Sequence, residues 1–163
     1  MIDIRDLRDF PEYIPIIEEE TRKEFGEFPA ARPIKTFIAL VDCEFCRRQN
    51  KICASRKFAG AGSLSEDDLK YGMYSEKNPW IADFFIMKKY RGQGVARVLA
   101  SYLVEFGLQQ YPEIYIWTKN RDLAMEAMRS VERPSVYTEY LGNREYYENI
   151  IYIFRISRRL RQP

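Results

Sequence analysis

The chain has 163 residues, of which 46% are hydrophobic and 31% are charged, and its formal net charge is only +2. This size and balance are typical of one soluble globular domain, so we expect a single domain over residues 1–163. The small charge gives no reason to expect a nucleic-acid partner, and no apolar run is long enough to span a bilayer. Because the first residues carry no signal-peptide pattern, the sequence predicts a cytoplasmic protein.

Histidine is absent, which excludes Ser–His and Cys–His nucleophile pairs and any histidine general base. The three cysteines include a C-x-x-C pair, Cys43 and Cys46, with Cys53 nearby. A structural zinc site needs a fourth ligand, which only Asp42 or Glu44 could supply here. We therefore expect no metal and interpret the cysteines as reduced thiols in a β-hairpin.

The first part of the chain gives a strand signal and then a helix signal. Residues Ile2 to Arg5 alternate apolar and polar side chains, which is typical of a short strand. Asp9-Phe10-Pro11-Glu12 has the order of a helix start: a capping residue, an early proline and a glutamate three residues after the cap. Pro15 must then lie in the first turn or mark a restart. We expect the helix to end at Gly26 and to bury Tyr13, Ile16, Ile17 and Phe25.

The next segment predicts a hairpin followed by a long connection. Thr36 to Val41 is a clear strand, and its partner is expected somewhere between Phe45 and Phe58. We expect Ala59 to Ser63, which contains two glycines, to break regular structure. Residues 64–79 are polar and predict a loop of a length that is often functional, although disorder or a short extra helix fits equally well.

The most informative stretch runs from Trp80 to Asn120. An apolar run from Ile81 to Met87 predicts a strand, and the run from Ile114 to Thr118 predicts another. Between them, apolar residues recur at the spacing of a helix that buries one face on a sheet, to about Gln110. Because a helix joins them, we expect the two strands to be parallel. The predicted buried face of the helix consists of Val95, Val98, Leu99, Tyr102, Leu103 and Phe106.

A glycine turn, Arg91-Gly92-Gln93-Gly94-Val95-Ala96, lies between the first of these strands and the helix. Amide groups at a helix start have no internal partner and carry partial positive charge, so they can bind an anion such as phosphate. The glycines let a ligand approach the backbone, and Arg91 adds a charge that suits phosphate. The turn therefore predicts an anion site. The alternative is a glycine-containing connection that binds nothing.

Other phosphate-binding turns fit this sequence poorly. A dinucleotide-binding turn needs a third glycine, where Arg97 stands, and an acidic residue at the end of the next strand, where Thr118-Lys119-Asn120 stand. No Gly-Lys-Ser/Thr follows, which excludes a P-loop. The remainder of the chain predicts a short helix from Leu123 to Met128 and two final strands. We expect these strands at Val136 to Leu141 and Ile150 to Ile156, with the turn beginning at Gly142-Asn143.

This element order and the glycine turn resemble the GCN5-related N-acetyltransferase (GNAT) family. The family signature is an apolar strand, then [RQ]-x-x-G-x-[GA], then a helix. Arg91, Gly94 and Ala96 match its constrained positions, while Lys88 stands where a proline is usual. The resemblance implies an α+β, three-layer fold: a mixed, mostly antiparallel sheet of six to seven strands flanked by helices, with a strand–glycine turn–helix–strand core.

The resemblance also implies a function, an acyl-CoA-dependent N-acyltransferase that moves an acetyl group from acetyl-CoA to a primary amine by direct attack. The pyrophosphate would bind at the turn, and the pantetheine arm would lie along the end of the preceding strand. Asn120 would contact the pantetheine or help to separate the two parallel strands. The implied cofactor-binding residues are Ile86, Met87, Lys88, Arg91, Gly92, Gln93, Gly94, Val95, Ala96 and Asn120.

The acceptor side is less determined. Many family members carry a tyrosine that protonates the leaving thiolate, but the nearest positions here hold Ala127 and Met128, and Tyr137 lies further on. Asp83 is the candidate catalytic base, with a structural or solvent-facing carboxylate as the other interpretation. The alternative function is a non-catalytic module that binds CoA or a macromolecular partner. We expect a small-molecule or protein amine as acceptor, neither membrane nor nucleic acid as partner, and leave a homodimer open.

Overall fold

The computed structural model of the chain describes residues 1–26, 33–42, 56–66, 76–119, 136–146 and 149–158. Seven strands and two α-helices lie within these ranges, with short 3₁₀ turns at Leu7–Asp9, Pro11–Tyr13 and Lys88–Tyr90. The strands are β1 Ile2–Asp6, β2 Pro33–Asp42, β3 Arg56–Ser65, β4 Trp80–Ile86, β5 Glu113–Thr118, β6 Val136–Tyr146 and β7 Asn149–Arg158. The helices are α1 Ile14–Phe25 and α2 Val95–Gln110.

All seven strands form one sheet in the order β1-β2-β3-β4-β5-β7-β6. Every neighbouring pair is antiparallel except β4 and β5, which are parallel and are joined through α2. The structure thus confirms the predicted α+β fold with a mixed, mostly antiparallel sheet and a strand–turn–helix–strand core.

The sheet separates two apolar layers because its strands place successive side chains on opposite faces. On one face, α2 packs its buried side chains, such as Leu99 and Leu103, against Phe37, Ala39 and other strand residues. On the other face, the segment leading into α1 and α1 itself cover β2, β3 and β4. The residues of this second layer are Leu7, Phe10, Tyr13, Ile17, Ile38, Leu40, Phe58, Ala61, Phe85 and Met87.

The glycines at Gly60 and Gly62 lie inside β3, so the prediction that Ala59 to Ser63 breaks regular structure is wrong. A Cβ atom at Gly60 would overlap the Phe85 carbonyl oxygen, and one at Gly62 would stand 2.8 Å from Leu103 Cδ1. These glycines let β4 and α2 approach β3 closely. Regular structure also runs through Ser65, so the predicted loop over 64–79 does not begin at Leu64, and residues 67–75 of that prediction lie outside the described ranges.

The predicted turn at Gly142-Asn143 is also wrong, because β6 continues through it to Tyr146. Gly142 has a φ of 111° and lies at a register shift between Tyr140 and Gly142 in the pairing with β7. The glycine therefore marks a bulge within a strand, where an extra residue locally increases the twist.

Helix α1 begins at Ile14 rather than at the predicted Asp9. Asp9 ends a 3₁₀ turn, which Asp6 caps by accepting a hydrogen bond from the Arg8 amide at 3.0 Å. Pro15 occupies the first turn of α1, where its missing N–H costs no helical bond. The predicted end at Gly26 is confirmed, with a φ of 79°. Ile16 is exposed, in contrast to the predicted stripe.

Helix α2 follows the predicted span but buries a slightly different face. Val98 and Tyr102, predicted to be buried, are each 38% exposed, although Tyr102 packs its edge on the Phe37 ring. Val104 and Leu108 are buried in their place. The end of α2 packs closely on β5 because residue 107 is glycine: a Cβ there would lie 2.9 Å from Ile114 Cγ2.

Candidate functional site

The parallel strands β4 and β5 separate soon after they meet. The pairing that the structure describes between them is confined to Trp80 and Tyr115, where the Tyr115 amide donates to the Pro79 carbonyl at 2.9 Å. Each strand keeps its other neighbour, β3 or β7, along its length. The backbone edge of β4 from about Phe84 to Ile86 therefore faces a gap in the sheet.

A bulge in β4 accounts for this separation. Ala82 is opposite Ser63 and Phe85 is opposite Ala61, so two residues, Asp83 and Phe84, face the single Gly62. Asp83 has a φ of 49°, a left-handed conformation that side chains other than glycine, asparagine and aspartate rarely adopt. A bulge bends its strand and increases the twist. The bend falls between the paired start of β4 and its open end.

The Asp83 carboxyl group is half-buried at this bulge. Burial raises the pKa of the Asp83 carboxyl above its usual value, because loss of water disfavours the charged form. Among the described residues, none donates a hydrogen bond to this carboxylate or pairs with it. The predicted catalytic residue is thus a carboxylate that binds protons more strongly than an exposed aspartate.

At the end of β4, some backbone polar groups form hydrogen bonds within the protein and others point toward the gap between β4 and β5. The Met87 amide donates to the Ala59 carbonyl at 2.8 Å, and the Met87 carbonyl accepts from the Tyr90 amide at 2.8 Å. Because successive residues of an antiparallel strand direct their amides to opposite edges, the Ile86 N–H and C=O point toward the gap. Of the predicted pantetheine-binding residues, Met87 has both backbone groups engaged, and Lys88 opens a 3₁₀ turn.

The glycine turn exposes its backbone at the start of α2. Gly92 and Gly94 have φ values of 73° and 80°, and within the described ranges no heavy atom lies within 4 Å of where a Cβ would stand. Gly94 is the N-terminal cap of α2, and no side chain of the described residues caps the first helical amides. Ala96 is exposed, while the side chain of Val95 is buried and fixes the helix on the sheet. The turn presents open space and uncapped amides, which suit an anion.

Arg91 is held by two groups within the protein. Its Nε donates to the Ile86 carbonyl at 2.9 Å, and its guanidinium forms an ion pair with Glu24 in the last turn of α1. The neighbouring Gln93 donates through Nε2 to the Lys89 carbonyl at 2.8 Å. The predicted role of Arg91 as a phosphate charge remains a prediction, but its charge is already paired in this structure.

Other cations lie beside the turn. Lys88, Lys89 and Arg97 are exposed, and the Lys89 ammonium lies 4.9 Å from the centre of the Tyr90 ring. Within the described ranges, neither Lys88 nor Arg97 takes part in an ion pair. These two side chains leave positive charge available next to the uncapped amides.

The closed end of the β4–β5 pair is an aromatic cluster. Trp80 is 1% exposed, and its ring centre lies 5.4 Å from that of Tyr115. Trp117 and Ile153 complete the cluster. Burial is the main cause that raises the pKa of the Tyr115 phenol, and the hydrogen bond that this hydroxyl donates to Glu113 raises the pKa further. The hydroxyl therefore stays protonated. We assign this end a structural role.

Several residues that the sequence singled out lie outside the described ranges. They are Asn120, Ala127, Met128 and the three cysteines, Cys43, Cys46 and Cys53. Among the residues that are described, no cluster of acidic, cysteine or histidine side chains could hold a metal ion. None of the described helices is both long and apolar enough to cross a membrane.

The described part of the chain is thus a seven-stranded mixed sheet that opens between two parallel strands, beside a glycine turn and a helix start. The sequence matches the family described as the acetyltransferase (GNAT) family over residues 9–129. The chain belongs to this family. None of the curated proteins matches the sequence significantly.

Solved structures share the fold at low sequence identity. Arabidopsis thaliana NAA60 in complex with acetyl-CoA superposes with a TM-score of 0.62 and 14% identity, over 98% of this chain and 99% of that one. The spermidine/spermine N-acetyltransferase SpeG from Vibrio cholerae gives 0.59 and 13%, over 95% and 93%. The ribosomal-protein-S18-alanine N-acetyltransferase from Escherichia coli gives 0.59 and 13%, over 95% and 92%. At these identities the likeness shows the fold.

Proposed function

We propose that this protein transfers an acetyl group from acetyl-CoA to a primary amine. The observation that carries the proposal is the gap between β4 and β5, which opens directly beside the uncapped start of α2. An extended thioester arm can lie along the free edge of β4 while its phosphates reach the helix start. Membership of the GNAT family supports the same chemistry.

The glycine turn is the proposed pyrophosphate site. The amides of Gln93, Gly94, Val95 and Ala96 would donate to phosphate oxygens, and the helix dipole adds attraction for the anion. Gly92 and Gly94 leave the approach free, since no heavy atom of the part of the chain that the structure describes occupies the space beside them. The positive charge of Lys88 and Arg97 would strengthen the attraction at low ionic strength.

The edge of β4 is the proposed site for the pantetheine arm and the thioester. An arm that lies along the edge would bind as an added strand does, through backbone hydrogen bonds. The Ile86 N–H points into the gap, so it is the proposed donor that stabilises negative charge on the thioester oxygen. Asn120 belongs to the proposed arm-binding set, although it lies outside the described ranges.

The proposed reaction forms one bond and breaks one. The neutral amine nitrogen attacks the thioester carbonyl carbon, a C–N bond forms, and the C–S bond then breaks to release the CoA thiolate. After the attack the nitrogen loses one proton to a base, and the thiolate takes up one proton, from the protonated base or through water, to become the free thiol. Because an alkylammonium group has a pKa of about 10, the enzyme must supply a base to generate the neutral amine.

Asp83 is the proposed base. Its pKa is raised by burial, which makes the carboxylate a stronger proton acceptor than an exposed aspartate. It lies at the bulge where β4 turns away from β5, between the closed end of the pair and the proposed thioester position. A carboxylate at this position can act directly or through one water molecule.

The acceptor is a small-molecule or a protein amine under this proposal. The structural neighbours include an enzyme named for spermidine and spermine and another named for an alanine of ribosomal protein S18. These two acceptors differ greatly in size, so the shared fold does not choose between them. The choice depends on segments around the gap, which vary among proteins of one fold.

A single assay tests the proposal. The protein is incubated with acetyl-CoA and a panel of amines that includes polyamines, lysine peptides and peptides with a free N-terminal alanine, while free thiol is followed. Thiol release that depends on both the amine and the protein supports the proposal. Measurable CoA binding without turnover on any amine would favour a non-catalytic CoA-binding module. Absence of CoA binding would contradict both.

A further inference from the structure

We propose that Arg91 is a positioning residue, which fixes the gap-facing end of β4 to the last turn of α1, and that it does not bind the phosphates of the donor. This inference rests on the proposed function, because it concerns how the donor site is held. It departs from the sequence-based expectation, in which Arg91 supplied a charge for phosphate.

The first contact orients a peptide group at the proposed thioester site. The peptide between Ile86 and Met87 is held from both sides: its N–H donates to the Ala59 carbonyl at 2.8 Å, and its carbonyl accepts from Arg91 Nε at 2.9 Å. A peptide fixed at both ends restricts the rotation of Ile86. The Ile86 N–H belongs to the preceding peptide. Holding the peptide that follows limits the ψ rotation at Ile86 and so helps to keep this strand edge, with its N–H, directed into the gap where the thioester oxygen would develop negative charge.

The second contact reaches a different layer of the protein. The guanidinium of Arg91 pairs with Glu24, which is 67 residues away and lies in the last turn of α1. One arginine can donate to a carbonyl and a carboxylate at once, because its planar group carries several donors in fixed directions. Arg91 thus joins the donor strand to the helix that covers the opposite face of the sheet.

The charge balance argues against a phosphate role for Arg91. Its side chain is 48% exposed, yet its guanidinium is directed to a carboxylate and a carbonyl within the protein. Its other N–H donors remain, but Glu24 already balances the charge, so a phosphate beside Arg91 would gain little attraction or would cost the ion pair. Arg97, in the first turn of α2, is exposed and forms no ion pair within the described ranges, so it can attract phosphate without such a loss.

A mutant cycle with two donors separates these roles. The variants are Arg91→Gln, Glu24→Gln and the double variant. The donors are acetyl-CoA and S-acetyl-pantetheine, which has the same arm and thioester but no phosphate. A positioning role predicts that each single variant lowers kcat/KM about five- to tenfold with both donors, and that the double variant is no worse than the worse single variant.

Two further variants serve as controls. Arg97→Gln should weaken acetyl-CoA and leave S-acetyl-pantetheine unchanged, as expected of a phosphate contact. The exchanged pair Arg91→Glu with Glu24→Arg restores the ion pair but not the contact to the Ile86 carbonyl. We expect it to recover the melting temperature of the wild type and not its kcat, whereas a purely structural ion pair would recover both.

The opposite results would overturn the inference. If Arg91 binds phosphate, Arg91→Gln should affect acetyl-CoA alone, and Glu24→Gln should raise the affinity for CoA because it frees the guanidinium. Calorimetric dissociation constants for CoA decide this sign even if no acceptor amine is found. A wild-type protein that binds CoA but turns over neither donor would contradict the proposed reaction. In that case the positioning role would still be supported if both single variants lost affinity equally for CoA and for S-acetyl-pantetheine.

Discussion

The two ends of the β4–β5 pair differ in almost every physical respect. At the closed end, Trp80 and Tyr115 share a backbone contact and a buried aromatic cluster. At the open end, the edge of β4 faces a gap, and the adjoining turn has two glycines with open space beside them among the described residues. The same two strands therefore provide packing at one end and, at the other, an edge of β4 that no described strand covers.

Because of this difference, we expect one end of the strand pair to contribute mainly to folding stability and the other mainly to binding of the donor. Burial of large apolar side chains is the main favourable contribution to folding, and it is concentrated where the strands meet. Unpaired backbone donors are costly in a closed core but useful where a ligand can satisfy them. Changes at the closed end should therefore affect unfolding, and changes at the open end should affect the donor.

The largest effect is expected at the closed end. Replacing Trp80 by alanine should lower the free energy of unfolding by about 3–5 kcal/mol, because it leaves a cavity among Tyr115, Trp117 and Ile153. Urea denaturation measures this change. Tyr137→Ala is the matched control, since Tyr137 is an aromatic residue of the same sheet but is 46% exposed, and it should cost less than about 1 kcal/mol. Equal losses would contradict a structural closed end.

At Asp83, between the two ends, a substitution should lower activity without lowering stability. Asp83→Asn should reduce kcat/KM about 100-fold, the usual order of magnitude for loss of a general base. The carboxyl pKa is higher in the folded than in the unfolded protein, so the wild type loses stability as pH rises from the ordinary to the raised pKa. An asparagine side chain does not titrate, so the variant is not subject to that loss, and asparagine also tolerates the left-handed conformation.

The variant should therefore be as stable as the wild type at pH 4 and at least as stable at pH 7. Urea denaturation at the two pH values provides this measurement. A pH profile of kcat/KM should rise with pH in both proteins as the amine loses its proton, and the wild type should show an additional acidic limb that is absent from the variant. Full activity in the variant would exclude Asp83 as the base and return it to a structural role.

At the open end, Gly94→Val should weaken acetyl-CoA binding at least about tenfold, because a β-branched residue cannot keep the left-handed conformation that presents the helix amides. Titration calorimetry measures the affinity. Gly142→Val imposes a comparable strain in β6, since Gly142 also has a positive φ with open space beside it. That control should lose stability and keep its affinity; unchanged affinity in a folded Gly94→Val protein would refute the phosphate assignment.

The smallest effect concerns the rim of the open end. Arg97→Gln should raise the dissociation constant of acetyl-CoA about threefold at low salt, since a solvent-exposed charge contributes modestly and is screened by ions. The difference between variant and wild type should shrink as the salt concentration increases. A loss that is independent of salt would indicate a direct structural role for Arg97 rather than attraction of phosphate.

The local features of the central unit could be predicted from sequence because each has a short-range signal. The apolar run of β4, the glycine turn and the periodicity of α2 are all encoded within a few residues. Three glycines account for elements that the sequence predicts wrongly. Gly60, Gly62 and Gly142 predict breaks in regular structure, but all three lie within strands. Gly60 and Gly62 allow close packing, and Gly142 lies at a bulge. A single sequence does not distinguish these uses of glycine.

In the candidate site, too, features with a local sequence signal could be predicted and features that depend on tertiary contacts could not. The turn could be predicted as an anion site from its residues, whereas the pairing of Arg91 with Glu24 could not, because the two are distant in the chain and meet only after α1 packs on the sheet. The bulge at Asp83 depends on its register with β3, which is likewise a tertiary property. The predicted roles of the site residues remain to be tested by the variants above.

Gly62 has a consequence that reaches beyond packing. It faces the bulge of β4 and also lies under Leu103 and Leu99, so it sets how deeply the middle of α2 sits on the sheet. The first turn of a rigid helix moves with its middle. A methyl group at Gly62 would act as a spacer that tilts the first turn of α2, the proposed phosphate site, relative to the edge of β4. We therefore expect the affinity of the proposed donor site to depend on a buried residue that lies outside it.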